Sequence, residues 1–373
     1  MRILQVTSDW KWTGPAEPML RLALALRERG HDVALAAPDP PAGCDGLAPR
    51  ARAAGLPPAL GLEPGRGVRL LRDRRDARRL RAFLDERRVE IVHAWHTRDH
   101  VLALRARRPG GARVVRTGSR AEPAPATPWE RWLFGPGSDG LWCVSPGSAR
   151  LQARLRGGRP VAGGFGAVDP ARFHPAPPDP LARKALGLAP DERVVGIVAR
   201  VQRRRRFDLF LEAAQRLAAR QPSARFLVVG RGTHRDELAV RPAQRLGLGE
   251  RVVFAGYRRE DYADVLRSID VFTLLVPGSD GTCRAVLEAA ACGIPAVATR
   301  RGALPEIVVD GETGSLVDED PDALAGAWER LVADDDLRRA LGAAAARRAR
   351  TLFHPDALAD GVEALYRAVL ARR

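Results

Sequence analysis

The chain has 373 residues, enough for two domains with a core each, and no apolar run in it approaches the roughly 20 residues that span a bilayer. Hydrophobic residues make up 45% and charged residues 28%, ordinary for a globular protein, while the net charge of +16 is almost all arginine, since Lys11 and Lys184 are the only lysines. The few aromatic residues are not interleaved with the arginines as a base-stacking surface requires, which argues against a nucleic-acid partner.

The chain opens with a strand over residues 3–7 and lacks the apolar stretch of an export signal, so a cytoplasmic location is expected. A helix follows over 17–29, closed by Gly30, then a strand over 32–37 and a helix over 78–87. Further strands are expected at 90–94, 113–117 and 140–145. This alternation means a parallel sheet with helices on both faces. The stretch 176–190 is rich in Pro and Ala and reads as a linker. A second alternation then begins, with strands at 194–199, 225–230, 252–255, 271–275 and 296–299 and helices at 207–220, 262–269 and 286–292. Helical segments over 322–351 and 356–373 end the chain. The fold class is therefore α/β, two doubly wound Rossmann-like domains over 1–175 and 190–352. A cleft between them is the default ligand site.

Cys44, Cys143, Cys283 and Cys292 show no C-x-x-C spacing, so neither a zinc site nor a disulfide framework is suggested. His93, His96 and His100 cluster after a strand. Cysteine is absent there and Asp99 is the only nearby acid, so no metal is expected. No G-x-G-x-x-G follows the first strand, which argues against a nicotinamide dehydrogenase.

The densest chemistry lies in Ser279-Asp280-Gly281-Thr282-Cys283-Arg284-Ala285-Val286-Leu287-Glu288, where two acids stand with seven residues between them. A helix starting just after Gly281 offers free N–H groups to an anion, and Glu288 projects from the same helix. One element can then hold a phosphate and hydrogen-bond the hydroxyls of whatever the phosphate carries. Glu288 lies among apolar residues, and a buried acid needs partners.

This segment resembles the E-x7-E segment of family 4 of the retaining GT-B glycosyltransferases (glycosyl transferases group 1). The other segments follow in the family's order over most of the chain. Thr13-Gly14-Pro15-Ala16-Glu17 matches its Gly-rich turn, with Pro15 in place of a second glycine. Arg200 to Asp208 resembles its G-R-L-x-x-x-K-G-x-D segment, with Arg205 on the lysine and Arg206 on a glycine, so the local turn is expected to differ. Gly230-Arg231-Gly232 matches a turn beside the nucleotide, Gly256 ends a strand where the base is held, and Gly302 to Glu306 matches a G-G-x-P-E turn.

The resemblance implies a GT-B pair of domains facing a central cleft, with helix 356–373 packed back on the first. It implies a metal-independent, retaining transfer of a hexose-type sugar from a nucleotide diphosphate, UDP or GDP, with no further cofactor. Arg200 and Arg205 would stabilise the departing diphosphate, Asp280 would orient the sugar and Glu288 would hold the ribose. Gly14, Gly230, Gly256, Gly281 and Thr282 would border the substrates. Backbone N–H groups of Cys283, Arg284 and Ala285 would cradle phosphate. Ser119 stands where many members have a histidine, and His96 is expected to point into the acceptor pocket. The acceptor is unidentified: a glycan, a lipid-linked or a small molecule. A peripheral contact with an anionic inner membrane face is a further expectation. Two alternatives stay open, a GT-B nucleotide-sugar hydrolase or epimerase and a non-catalytic nucleotide-binding scaffold.

Overall fold

Two six-stranded sheets, parallel throughout, organise the chain, as the strand alternation predicts. They are seen in a computed structural model that describes residues 1–12, 15–65, 67–68, 70–118, 127–278 and 281–372. Two units divide the chain: Met1–Ala167 with the C-terminal Pro355–Arg373, and the bulk of Val168–His354.

The first unit runs β1 (Arg2–Val6), α1 (Ala16–Glu28), β2 (Asp32–Ala36), α2 (Leu47–Ala53), α3 (Leu70–Glu86), β3 (Ile91–Ala94), α4 (Thr97–Ala106), β4 (Arg113–Gly118), α5 (Pro128–Phe134), β5 (Gly140–Cys143), α6 (Pro146–Ala153) and β6 (Val161–Gly163). Its strand order is β2-β1-β3-β4-β5-β6. The second unit runs α7 (Pro180–Ala185), β7 (Arg193–Val198), α8 (Phe207–Arg220), β8 (Ala224–Val229), α9 (Arg241–Arg245), β9 (Val252–Gly256), α10 (Tyr262–Arg267), β10 (Val271–Leu274), α11 (Arg284–Ala291), β11 (Ala296–Thr299), α12 (Leu304–Ile307), β12 (Gly314–Val317), α13 (Pro321–Ala333) and α14 (Asp335–Leu352). Its order is β12-β11-β10-β7-β8-β9. Its core holds a cluster of rings in which Phe210 meets Phe226 and Trp328 edge-on, 6.3 and 5.2 Å between centroids.

The last helix, α15 (Pro355–Leu370), belongs to the first unit and packs with α1 in one core cluster. Its apolar stripe of Leu358, Val362, Leu365, Tyr366 and Val369 is buried. Gly140 on β5 admits it, because a Cβ there would come within 2.6 Å of the Val369 side chain. A buried polar chain fastens the same helix. The Tyr366 hydroxyl accepts from Gln5 Nε2 at 3.2 Å and meets His93 Nδ1 at 2.6 Å. His93 Nε2 meets Thr117 Oγ1 at 2.8 Å. With Tyr366 donating to Nδ1, the network assigns the ring proton of His93 to Nε2. Burial lowers that imidazole to about 3, so it stays neutral.

Three boundaries differ from the sequence reading. The first unit ends at Ala167 rather than 175, because the next residues bond within the second: Val168 N donates to Phe353 O at 2.8 Å, and Arg267 Nη2 to Arg172 O at 2.8 Å. The Pro/Ala stretch is not bare linker. It contains α7, whose cap Asp179 accepts from Leu181 N at 2.9 Å. Helix α3 starts at Leu70 rather than 78, because Asp73 and Asp76 turn inward to the buried Arg98, each at 2.8 Å.

Candidate functional site

In the second sheet the order reverses between β10 and β7. Ligands of open α/β sheets sit beyond the carboxyl ends of the strands at such a reversal. Here β7 leads into the arginine loop, and β10 leads toward α11.

Arg200 lies two residues past β7, exposed, with no hydrogen bond or ion pair to the described residues. The loop beneath it is held by main-chain bonds. Ala199 N donates to Val229 O at 3.0 Å, Val201 N to Arg231 O at 3.1 Å and Gly230 N to Gly256 O at 2.8 Å. Close approach explains the two glycines of the turn after β8. A Cβ on Gly230 would stand 2.1 Å from Ala199 O, and one on Gly232 would stand 2.1 Å from Val201 O. Gly256 needs its freedom for another reason: its φ is +70° in open space.

Arg205 closes a 3-10 turn over Arg203–Arg205, and its Nη1 donates to Val276 O at 2.6 Å, pinning the loop to the segment after β10. Arg203 and Arg204 are exposed and bond to Glu237 and Gln202. Arg206 adopts φ 55° and ψ 47°, the left-handed region that suits glycine. The backbone thus keeps a glycine-like turn although arginine occupies it, contrary to the expected change. Asp208, at 3.0 Å, and Glu319 take its charge.

Helix α11 begins at Arg284, two residues before the expected segment 286–292 and past a start just after Gly281, and the left-handed Cys283, φ 49°, precedes it. Cys283 N therefore precedes the helix, and the first-turn N–H groups are those of Arg284, Ala285 and Val286. Val286 N already donates to Cys283 O at 2.9 Å. Gly281, φ +64°, and Thr282 lead into this start. The helix ends at a glycine stop, with Gly293 at φ +77° and Ile294 N donating to Ala289 O.

Glu288 is 2% exposed. Its Oε1 lies 2.9 Å from Arg284 Nε, and its Oε2 accepts from the Tyr262 hydroxyl at 2.7 Å. Tyr262, at the start of α10, is the partner the sequence does not name. Buriedness of Glu288 signals that a partner exists, but nothing in the chain order points 26 residues back. Burial of Cys292 pushes its thiol up to about 12, which suits packing rather than nucleophilic attack. Glu306 lies in the one-turn α12, and its main-chain oxygen holds Arg348 at 2.7 Å.

In the first sheet the order reverses between β1 and β3. His96 caps α4 there. Its Nδ1 lies 3.0 Å from Asp99 Oδ2, and Asp99 Oδ1 accepts from Ser8 N at 2.7 Å. Asp99 thereby joins the loop after β1 to the start of α4, a role the sequence did not suggest. The three histidines diverge. His93 faces Tyr366, His96 faces Asp99, and His100 Nε2 meets Gly137 O at 3.0 Å. No group of three or more His, Cys, Asp or Glu is placed to hold a metal among the described residues. Gly14, Ser119 and Asp280 lie outside the described residues.

Known proteins resemble this chain in sequence and in fold. Residues 14–162 fit the family model described as Glycosyltransferase Family 4, and residues 192–334 fit Glycosyl transferases group 1. A D-inositol 3-phosphate glycosyltransferase of Rhodococcus opacus is 38% identical over 209 residues, 54% of this chain and 46% of that protein. A GDP-mannose-dependent alpha-(1-6)-phosphatidylinositol monomannoside mannosyltransferase of Mycolicibacterium smegmatis is 38% identical over 187 residues, 48% of each chain. The chain spans about half the length of the curated relatives it matches. Among solved structures, a glycosyltransferase from Rickettsia africae superposes with a TM-score of 0.81 at 17% identity, covering 100% of this chain and 99% of that one. Anabaena HepE, solved with UDP and glucose, gives 0.75 at 19% identity with 98% of each chain covered. At these identities the likeness is one of fold.

Proposed function

The chain belongs to the group 1, family 4 glycosyltransferases, and from that premise we propose that it moves a hexose-type sugar from a nucleotide diphosphate to an acceptor, with retention of anomeric configuration and without a metal. The observation that carries the reading is the buried Glu288, fastened by Tyr262 and Arg284 at the strand reversal where Arg200 also stands. A buried carboxylate whose two oxygens are already oriented suits a pair of ribose hydroxyls. Arg200 and Arg205 supply fixed positive charge where negative charge develops on the departing diphosphate. In a transfer on one face of the sugar, that phosphate takes the proton of the acceptor hydroxyl, so no enzyme base is needed. Asp280 orients the sugar in this scheme.

The relatives' names support a phosphorylated acceptor and make GDP a donor nucleotide to test beside UDP. Cytoplasm is the location that goes with the reading. A peripheral membrane contact is the second element, favoured by the arginines of α3 and by two exposed tryptophans on α5.

A thermal-shift panel of UDP, GDP, ADP and TDP tests the donor. A bound nucleotide at 100 times its Kd stabilises the native state by about 2.7 kcal/mol. Turnover of sugars on the winning nucleotide is then followed with a phosphorylated acceptor set, with and without EDTA. Activity that survives EDTA is expected, and a strict requirement for Mg²⁺ or Mn²⁺ overturns the metal-free clamp. Free sugar released without acceptor would point to a hydrolase instead.

A further inference from the structure

We propose that Tyr262 is a positioning residue that sets the plane of the Glu288 carboxylate and so gives the site its preference for a ribonucleotide over a 2′-deoxyribonucleotide. The inference rests on the ribose role proposed for Glu288.

A carboxylate at the end of a glutamate turns easily, because its last torsion is broad rather than staggered. Two donors stop that rotation here, one on each oxygen: Arg284 Nε at 2.9 Å and the Tyr262 hydroxyl at 2.7 Å. They are not equivalent. Arg284 lies one turn away on the same helix, and its side chain is 29% exposed, so its hold is local and partly solvated. Tyr262 comes from α10, is buried, and its ring is clamped on other contacts. Phe173 meets it edge-on at 5.8 Å, and the Arg172 guanidinium lies 5.9 Å from its centroid. The rigid donor therefore fixes the orientation.

A carboxylate has about four acceptor positions, so a protein donor on each oxygen is compatible with a sugar hydroxyl bonding the same group. Burial, with the Glu288 charge beside it, raises the Tyr262 hydroxyl well above its usual value. It therefore remains a proton donor toward Glu288, and Glu288 remains an acceptor toward the ligand. A hydroxyl bonded to an oriented, buried carboxylate is recognised strongly, whereas its absence leaves that acceptor unmet.

The test is calorimetric titration of the full chain with UDP and GDP, then of the tighter one against its 2′-deoxy counterpart. Wild type is expected to favour the ribonucleotide by roughly tenfold or more, the worth of one hydrogen bond to a charged group. Tyr262→Phe keeps the ring and should narrow that ratio to within about threefold by weakening the ribonucleotide alone. The loss should appear in KM for the donor with kcat little changed, since binding in the ground and transition states falls together. Equal weakening of both nucleotides, or an unchanged ratio, overturns the proposal. If Tyr262→Phe is too unstable to titrate, Glu288→Gln is compared with Glu288→Gln/Tyr262→Phe, in which no buried charge is left unmet. Equal affinities support action through the carboxylate, and a further loss in the double variant refutes it. A wild type that binds no nucleoside diphosphate removes the functional reading itself. A wild type that binds one but does not distinguish ribose from deoxyribose refutes the ribose role alone.

Discussion

Arg205 and Arg203 sit two residues apart in one run of arginines, yet their surroundings differ. Arg205 is half-buried and reaches Val276 O, whereas Arg203 holds an exposed ion pair with Glu237. Arg205→Ala should weaken nucleoside-diphosphate binding and cut turnover by about 10²-fold, as for a lost charge beside a leaving group. Arg203→Ala should cost at most about 1 kcal/mol of stability, as exposed pairs do, and leave turnover unchanged. Steady-state kinetics of both variants decide the matter, and equal losses would mean that Arg203 and Arg205 serve the diphosphate alike. The glycines give a second contrast. Gly230→Ala forces a Cβ to within 2.1 Å of Ala199 O at φ +144°, so the main chain beneath Arg200 has to move. Gly256→Ala meets open space and carries only the penalty of a left-handed φ. The expected costs are about 1–2 kcal/mol for Gly256→Ala and more than that for Gly230→Ala. Donor affinity should fall further with Gly230→Ala than with Gly256→Ala, measurable by chemical denaturation and nucleotide titration. Comparable costs for the two would show that the loop yields freely.

Among elements, the strands were legible because buried parallel strands read as short runs of Val, Ile, Leu and Ala, as in Val194–Val198 and Ala296–Thr299. Helix α8 was legible to the residue, for its apolar stripe begins at Phe207 and ends where Gln221 turns extended. Helix α2 carries Pro49 and only seven residues, too few for a periodic signal, and β6 and β12 are three and four residues long. In the site, helical spacing put Glu288 on α11, and the family resemblance put Arg200 and Arg205 in the loop after β7, where the structure has them. Spacing misplaced the start of α11, because a cysteine in the left-handed region leaves no mark in composition. It could not supply Tyr262 or Asp99, whose partners are fixed by packing. The same limit applies to His93 and His100, both buried and lowered to about 3 from an ordinary 6.5. Between those two values the unfolded chain binds protons that the folded chain does not. Stability is therefore complete above about pH 6.5 and falls as pH drops toward 3. Each histidine contributes a slope of up to about 1.4 kcal/mol per pH unit. Denaturation curves at about pH 5 to 6, above most carboxylate titration, should show that slope, and His93→Gln should reduce it by one histidine's share whatever it does to overall stability. An unchanged slope would mean that His93 takes up its proton in the folded state.

Over the whole molecule the net charge of +16 is not spread evenly. On α3 Asp73 and Asp76 are spent on the buried Arg98 and Asp85 pairs with Arg108, while Arg72, Arg74, Arg75, Arg78 and Arg79 are exposed. A groove of about 430 Å³ opens there, lined by Arg74, Ala77, Arg78, Arg81 and Arg105. Helix α3 packs on α4, and α4 shares a core cluster with α5, so one layer of the first unit carries the arginines and a tryptophan pair. Trp129 and Trp132 are 52% and 42% exposed and stack on each other with centroids 5.3 Å apart. Exposed indoles and exposed arginines in one layer suit the boundary of an anionic bilayer, where each cation contributes about 1 kcal/mol and an indole can enter the headgroup layer. No helix among the described residues is long and apolar enough to cross a membrane, so contact through this layer would be peripheral. Co-sedimentation with phosphatidylglycerol-containing vesicles is expected at low salt and should weaken at high salt, while pure phosphatidylcholine captures little. Replacing Arg74, Arg78 and Arg79 together by glutamine should lower binding by about 10²-fold, the equivalent of three charges. Trp129→Ala/Trp132→Ala should remove mainly the part that survives salt, because burial of an indole is not screened. Soluble-acceptor turnover should stay unchanged in both sets, since none of these residues lies at a strand reversal. Equal capture by neutral and anionic vesicles at low salt, or none by either, would exclude the membrane contact and direct the search to a soluble acceptor.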